Sequence, residues 1–228
     1  MKKTITALVI LIMISCNGQQ EKKDTSSKEK SGASEKITPK NLDLTNFKFE
    51  TKITGVLKTV DLSLNDNSLN EYNMSGDYEE FKFSSPKISL FGNDFDFPKN
   101  EVSFFYTKKD ELLWCYELNI YNNDEALQII KSFELKYGAK PAFSKITLST
   151  KEHPIFLDEN GEFEKDKMEQ RILVWEDFTN KTTFFLIYNV NYDKIPIEGG
   201  LQIIAIDKTS KKYTEWVSYR SLDMYYKK

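Results

Sequence analysis

The stretch SFFYTKKDELLWCYELNIYNNDEALQIIKSFELKYGAKP, residues 103–141, decides the fold because it holds two strands and a helix in a row. KKDE separates two apolar runs and predicts a hairpin turn between two antiparallel strands. Apolar and polar residues alternate in the second strand, which is typical of a strand with one face in the core. The core face is predicted to carry Leu112, Trp114, Tyr116, Leu118 and Ile120, and the other face Cys115, Glu117 and Asn119.

The rest of this stretch predicts a helix over residues 124–137. Asn122 or Asn123 can cap its first turn, where the acidic side chains that follow lie favourably at the positive end of the helix. One apolar stripe repeats every three or four residues, formed by Ala126, Ile129, Ile130, Phe133 and Tyr137. Gly138 supplies the left-handed residue that ends a helix, and Pro141 follows it.

Further strands are indicated on both sides of this stretch. Before it, alternation predicts strands at 47–53 and 60–64, and the apolar runs KISLF (87–91) and NEVSFFYT (100–107) predict two more. After it, the predicted strands are IFLDENGEFE (155–164, a hairpin turning at Asn160-Gly161), RILVWEDF (171–178), TTFFLIYNV (182–190) and LQIIAID (201–207). A second helix is predicted from about Ser210. The sequence therefore predicts an α+β fold, with an antiparallel sheet or sheets and one or two helices packed on one side.

Residues 41–228 are predicted to form a single globular domain. Each half, about 41–140 and 141–228, contains an aromatic strand, a later apolar strand and then a helix. An internal duplication would explain this order, and so would the general similarity of short apolar strands.

The first fifteen residues have the features of a secretory signal peptide. Lys2 and Lys3 precede an apolar run, 7–14, that is far shorter than the ~20 residues a membrane-spanning helix needs. A charged start, a short apolar centre and a small residue before the cut are typical of exported proteins.

Met13-Ile14-Ser15-Cys16 at the end of this run resembles the lipobox of bacterial lipoproteins, although the first position is usually Leu. The resemblance covers about the first twenty residues. It implies cleavage between Ser15 and Cys16, acyl chains such as palmitate on Cys16, and a membrane lipid as the partner that holds the protein in the cell envelope. Each buried methylene of such an anchor contributes ~0.8 kcal/mol, so two or more chains hold a protein firmly.

Residues 16–40 are predicted to be the lipidated cysteine and a disordered tether. The segment has no aromatic residue, and only Ile37 is a sizeable apolar one. As a flexible coil it would reach on the order of 25–30 Å. The mixed charge of QQEKKD, 19–24, favours the outer membrane as the destination.

Composition excludes several kinds of chemistry. Without Lys2 and Lys3 the chain has 30 basic against 35 acidic residues and no basic stripe, which argues against a nucleic-acid partner. His153 is the only histidine, expected in a surface loop, and no phosphate-cradling glycine motif occurs, so no metal and no cofactor is expected. Cys115 has no disulfide partner if Cys16 is lipidated, and it is expected to be a buried inert thiol.

The predicted function is therefore non-catalytic binding or assembly in the envelope, with an envelope protein or a glycan as the partner. Aromatic residues that could stack on a ligand are Trp216, Tyr225 and Tyr226. Whether the protein is an enzyme stays open, and no catalytic residue is assigned. One alternative is a hydrolase of cell-wall or other polysaccharide, whose two carboxyl groups sequence cannot locate. A further alternative is a solute-binding lipoprotein with a cavity between two lobes.

The lipid anchor is tested by the substitution Cys16→Ser. Because the acyl chains attach to this thiol, the variant should leave the membrane fraction and lose metabolic labelling by a fatty acid. Membrane retention of the variant, or an unmodified Cys16 in the native protein by mass spectrometry, would contradict the lipobox interpretation.

Overall fold

A computed structural model of the chain describes residues 42–68, 76–94, 98–157 and 159–224. The predicted signal peptide 1–15, with Ser15 at its cleavage site, lies outside the described residues. So do Cys16, the tether 16–40, Tyr225 and Tyr226. All described residues belong to one compact unit.

The described residues form three α-helices, three short 3-10 helices and ten strands. The α-helices are α1 Ile53–Thr59, α2 Asn123–Tyr137 and α3 Tyr213–Tyr219, with short 3-10 helices at Leu44–Asn46, Leu64–Asp66 and Leu222–Met224. The first strands are β1 Leu42–Asp43, β2 Tyr78–Phe83, β3 Ile88–Leu90, β4 Asn93–Asp94, β5 Glu101–Thr107 and β6 Leu113–Ile120. The later strands are β7 Phe143–Leu157, β8 Phe163–Asp177, β9 Thr182–Asn191 and β10 Glu198–Asp207.

A seven-stranded antiparallel sheet is the centre of the fold, in the order β2-β5-β6-β10-β9-β8-β7. A second, three-stranded sheet has the order β1-β3-β4, and its residues Ile88 and Leu90 belong to the same core cluster as α2. This arrangement confirms the predicted α+β class. The strands of the two halves of the chain meet where β6 pairs with β10. The proposed duplication stays a prediction.

Helix α2 packs on one face of the large sheet, in the same core cluster as α1, and confirms the prediction for residues 124–137. The Asn122 side chain accepts a hydrogen bond from the Glu125 backbone N–H at 3.0 Å, and Gly138 at the other end has φ of 101°. The buried side chains are Ala126, Ile129, Ile130 and Phe133, which is the predicted stripe apart from half-buried Tyr137.

Helix α3 lies on the opposite face of the sheet. Ile203 belongs to the cluster under α2, whereas its neighbour Ile204 packs with Trp216 and Val217 of α3. Successive residues of a strand point to opposite faces, so the two helices are on different sides. Helix α2 is thus the helix expected on one side, and α3 covers part of the other.

A β-bulge changes the predicted side of Trp114. Phe105 pairs with Cys115, and the next residue, Tyr106, pairs with Leu113, which leaves Trp114 as an extra residue. Trp114 therefore lies with Cys115 in the cluster under α3, and not with Tyr116 and Leu118 under α2. The alternation predicted from residue 115 onward is correct. The predictions for Leu112 and Trp114 are wrong because a bulge reverses the alternation, so that Leu113 lies with Tyr116 instead.

Near the start of the domain the predicted strands at 47–53 and 60–64 are wrong. Residues 53–59 form α1, which buries Ile53, Val56 and Leu57. Apolar residues at i, i+3 and i+4 fit a helix, and over so short a segment they also resemble alternation. Strand β2 and most of the long strand β7 were not predicted, and His153, expected in a loop, lies within β7.

Gly199 allows the first turn of α2 to lie close to β10. A Cβ atom at this position would overlap Asn123 Oδ1 and lie 3.3 Å from Tyr188 Oη. These two atoms form a hydrogen bond of 2.6 Å, in which Tyr188 donates. The close approach therefore depends on the missing side chain.

Gly199→Ala is expected to destabilise the domain by about 1–3 kcal/mol, because the new methyl group must displace Asn123 and break its bond to Tyr188. The matched control is Gly55→Ala in α1, where a Cβ meets nothing within 4 Å. That change should be neutral or stabilise by up to about 1 kcal/mol. Urea unfolding measures both, and equal effects of the two substitutions would contradict this packing.

Candidate functional site

Helix α3 leaves half of its sheet face uncovered, and polar side chains occupy that half. We call this surface the open face and define it by Asn119, Thr147, Ser149, Gln170, Asn189 and Gln202. The strand register places them side by side, since Thr147 pairs with Gln170, Gln170 with Asn189, and Gln202 with Asn119.

A cleft of about 700 Å³ opens on this face at the end where β10 begins. Its walls come from strands β7 to β10, from the loop at 192–197 and from the start of α2. Its polar lining includes Asn122, Asn123, Lys151, Asp166, Asn189, Asn191, Lys194 and Glu198, and its apolar lining includes Tyr121, Met168, Pro196 and Ile197. Gly200 contributes no side chain, which keeps the β10 side of the cleft open.

The amides of β8 and β9 orient one another. Gln170 Nε2 donates a hydrogen bond of 2.9 Å to Asn189 Oδ1. The opposite ends of the two amides, Gln170 Oε1 and Asn189 Nδ2, have no such bond within the part of the chain that the structure describes. A paired acceptor and donor are thereby held in place on the sheet.

A buried carboxylate ties the loop to the cleft. Asp166, which is 8% exposed, accepts a hydrogen bond of 2.7 Å from Asn191 Nδ2, and Lys194 Nζ lies 3.7 Å from the same carboxylate. Asn191 Oδ1 in turn accepts from the Asp193 N–H at 3.0 Å. Asp193 Oδ2 accepts from the Lys167 N–H at 2.5 Å. The loop wall is therefore anchored at its first residues.

The lining is rich in side chains that form hydrogen bonds. No group of three or more metal-ligating side chains occurs among the described residues. Cys115 is fully buried, and burial raises the pKa of its thiol well above the usual value, as expected for an inert thiol. The two acids of the cleft, Asp166 and Glu198, are accompanied by two lysines.

The predicted stacking residue Trp216 lies elsewhere. It is 3% exposed, and its ring centroid is 4.6 Å from Phe105 and 5.3 Å from Trp114. Its ring therefore offers no open stacking surface, while Tyr225 and Tyr226 lie outside the described residues. The aromatic side chain at the cleft is Tyr121, which is 60% exposed.

Sequence reasoning missed the residues of the open face. The available signal was weak: Asn189 and Asn191 are polar residues at alternate positions inside an apolar strand. Such a pattern marks a strand face that is not in the core. The sequence does not show which strands lie side by side, because that depends on the order of the strands in the sheet.

A separate buried ion pair holds α3 against the sheet. Glu117 Oε1 lies 2.7 Å from Arg220 Nη2, and the side chain of Glu117 is 6% exposed. Gln202 Nε2 donates to Glu117 Oε2 at 3.2 Å, and the Arg220 guanidinium lies 4.9 Å from the Trp216 ring centroid. Burial raises the pKa of Glu117, and the charge of Arg220 opposes this rise.

No family model matches the chain, and the comparisons with curated proteins and with solved structures find no match either. Within the described ranges, no helix combines the length and the apolar character needed to cross a bilayer.

Arg220→Gln is expected to destabilise the domain by about 2–4 kcal/mol at pH 8, because it leaves the Glu117 carboxylate buried without its partner. Burial raises the pKa of Glu117 in the folded state, and removal of the opposing Arg220 charge raises it further, so the folded variant takes up this proton at a higher pH than the unchanged domain does. The loss should therefore shrink between pH 8 and pH 5.

Urea unfolding at both pH values measures this effect. The control Glu117→Gln removes the charge and keeps an acceptor for Gln202. It should cost much less than Arg220→Gln at pH 8. A loss for Arg220→Gln that is the same at both pH values would show that the buried charge is not its cause.

Proposed function

We propose that this chain is a lipid-anchored protein of the bacterial cell envelope, in which the folded domain binds a partner through the cleft on the open face. The observation that carries the proposal is the cleft itself, whose lining residue Asn189 is oriented by Gln170 on an uncovered half of the sheet. Such a surface needs no chemical step to act, since a few well-placed polar groups are enough to select a ligand.

The support for the location comes from the sequence. The lipobox residues Met13-Ile14-Ser15-Cys16 would anchor the mature chain through Cys16, and a polar segment separates this anchor from the domain. An anchor of this kind limits the partners to molecules of the envelope. A preference for the outer membrane belongs to the same proposal.

The cleft residues support binding by their stability as well as by their placement. Asn189 pairs with Gln170 on one side and with Gly200 on the other, and Asn191 at the end of β9 pairs with Met168 and Glu198. Polar groups on such elements are held more precisely than groups on loops, and less conformational entropy is lost when a ligand binds.

A polysaccharide hydrolase is a second candidate because two acids, Asp166 and Glu198, line the same cleft. Hydrolysis of a glycosidic bond needs one acid to protonate the leaving group and another to act as base or nucleophile. Asp166 is already engaged by Asn191 and Lys194, which favours a structural role. If the candidate were correct, Asp166→Asn and Glu198→Gln would abolish turnover of a polysaccharide without unfolding the domain.

Site-specific photo-crosslinking in intact bacterial cells tests the binding role. A photoreactive amino acid at position 189 places the probe in the cleft, and the same amino acid at position 128 places it on the exposed side of α2. We expect a crosslinked envelope component from position 189 that position 128 does not give. The product should persist when Glu198→Gln is added, because binding does not require turnover.

Absence of a product at position 189, or the same product from both positions, would contradict the proposal. As a control, both labelled variants carry an intact Cys16 and should stay in the membrane fraction.

A further inference from the structure

The two amides at the centre of the open face present complementary groups to a ligand. With Gln170 Nε2 bound to Asn189 Oδ1, the acceptor of Gln170 and the donor of Asn189 lie on neighbouring strands of the open face. The exposed hydroxyls of Thr147 and Ser149 extend this pattern onto β7. Each sugar hydroxyl is both a donor and an acceptor, so it can satisfy mixed groups of this kind.

The charges of the cleft are balanced. Lys151 and Lys194 accompany Asp166 and Glu198, and the Lys194 ammonium is 3.7 Å from Asp166. A nucleic acid would need a positive groove to neutralise its phosphates. The balance favours a ligand with little net charge.

Apolar side chains at the edge of the cleft complete the pattern. Met168 lies among the polar groups, Ile197 is 47% exposed, and the Tyr121 ring is 60% exposed. Sugar rings have apolar C–H faces beside their hydroxyls, and flat or polarizable side chains pack against such faces.

The polar surface is long enough for more than one sugar. A second hollow, whose lining includes Thr147, Ser149, Gln170 and the carboxylate of Glu169 that pairs with Arg171, shares Lys151, Met168 and Asn189 with the cleft. The two form one groove that crosses β10, β9, β8 and β7. Adjacent strands lie about 4.8 Å apart, so the groove extends over about 15 Å.

An extended peptide fits this groove less well than a glycan. Peptides that bind to sheets usually add a strand at an edge, where backbone groups lack partners. Here the groove crosses the face of strands β8, β9 and β10, which are hydrogen-bonded on both sides. Recognition must therefore use side chains, which suits a ligand covered with hydroxyl groups.

Resting on the binding role proposed above, we infer that the groove binds a saccharide chain of low net charge across strands β10 to β7. The ligand contacts Gln170 and Asn189 through hydrogen bonds, Thr147 and Ser149 at one end, and Tyr121 at the other.

Calorimetric titration of the full-length chain in detergent micelles tests the inference. The probes are neutral, N-acetylated and acidic oligosaccharides from di- to hexasaccharides, glycan strands from the bacterial cell wall, and a polar peptide of similar length. We expect binding to at least one saccharide of low net charge. The double variant Gln170→Ala, Asn189→Ala should weaken it about tenfold or more, the loss expected from two hydrogen bonds.

The matched control is Gln128→Ala. Gln128 also pairs with another amide, donating to Asn93 Oδ1 at 2.7 Å, but it lies on α2 at the other side of the sheet. This variant should bind as the unchanged chain does. A second variant, Thr147→Ala with Ser149→Ala, should also weaken binding. It changes exposed side chains on an edge strand, and urea unfolding checks that its stability is unchanged.

Failure of every saccharide to bind, or binding that the cleft variants leave unchanged, overturns the inference. Preference for the peptide overturns it as well. If position 189 gives a crosslink but no saccharide binds, the proposed binding role is retained and only the saccharide ligand is ruled out. If neither a crosslink nor saccharide binding is found, the binding role and the saccharide ligand are both ruled out.

Discussion

Helix α3 is too short to cover the sheet face on which it lies. Its 7 residues span about 10 Å, whereas strands β7 and β8 have 15 residues each. The apolar half of this face lies under Trp216 and Val217, and the other half meets water. A strand that passes through both halves must therefore change from apolar to polar side chains along one face, as β9 does from Phe185 to Asn189. The open face and its cleft follow from this constraint.

The pairing of β6 with β10 joins the two halves of the chain and positions both helices. Tyr116 and Ala205 pair beneath α2, and Cys115 and Ile206 pair beneath α3. At the beginning of β10, Gly199 allows the start of α2 to pack closely against the strand. Gly200 keeps the cleft open on the other face. One strand thus packs a helix on one side and borders the candidate site on the other. The cleft residues of β8, β9 and β10 lie on strands that pair on both sides, which helps polar groups in an open cleft to stay ordered.

Local signals predicted the parts of the fold that depend on local interactions. Helix α2 was predicted correctly because its cap, apolar stripe and glycine stop agree, and the Asn160-Gly161 turn indicated the hairpin of β7 and β8. Trp114 was misplaced because the bulge depends on how β5 pairs with β6. Residues 53–59 were misread because a short apolar pattern fits both a helix and a strand. The cleft could not be predicted, since Gln170, Asn189 and Gly200 become neighbours only through the sheet order.

The central proposal is that the uncovered half of the sheet face is the surface through which the protein binds its partner. Hydroxyl-radical footprinting of side chains, in intact envelopes and in the purified chain, measures this directly. The account predicts that Met168 and Tyr121, at the cleft, are protected in envelopes. Phe178 and Tyr219, which are 80% and 67% exposed away from the cleft, should react equally in both samples. Equal reactivity at Met168 and Tyr121, or protection at Phe178 and Tyr219 instead, would contradict the account.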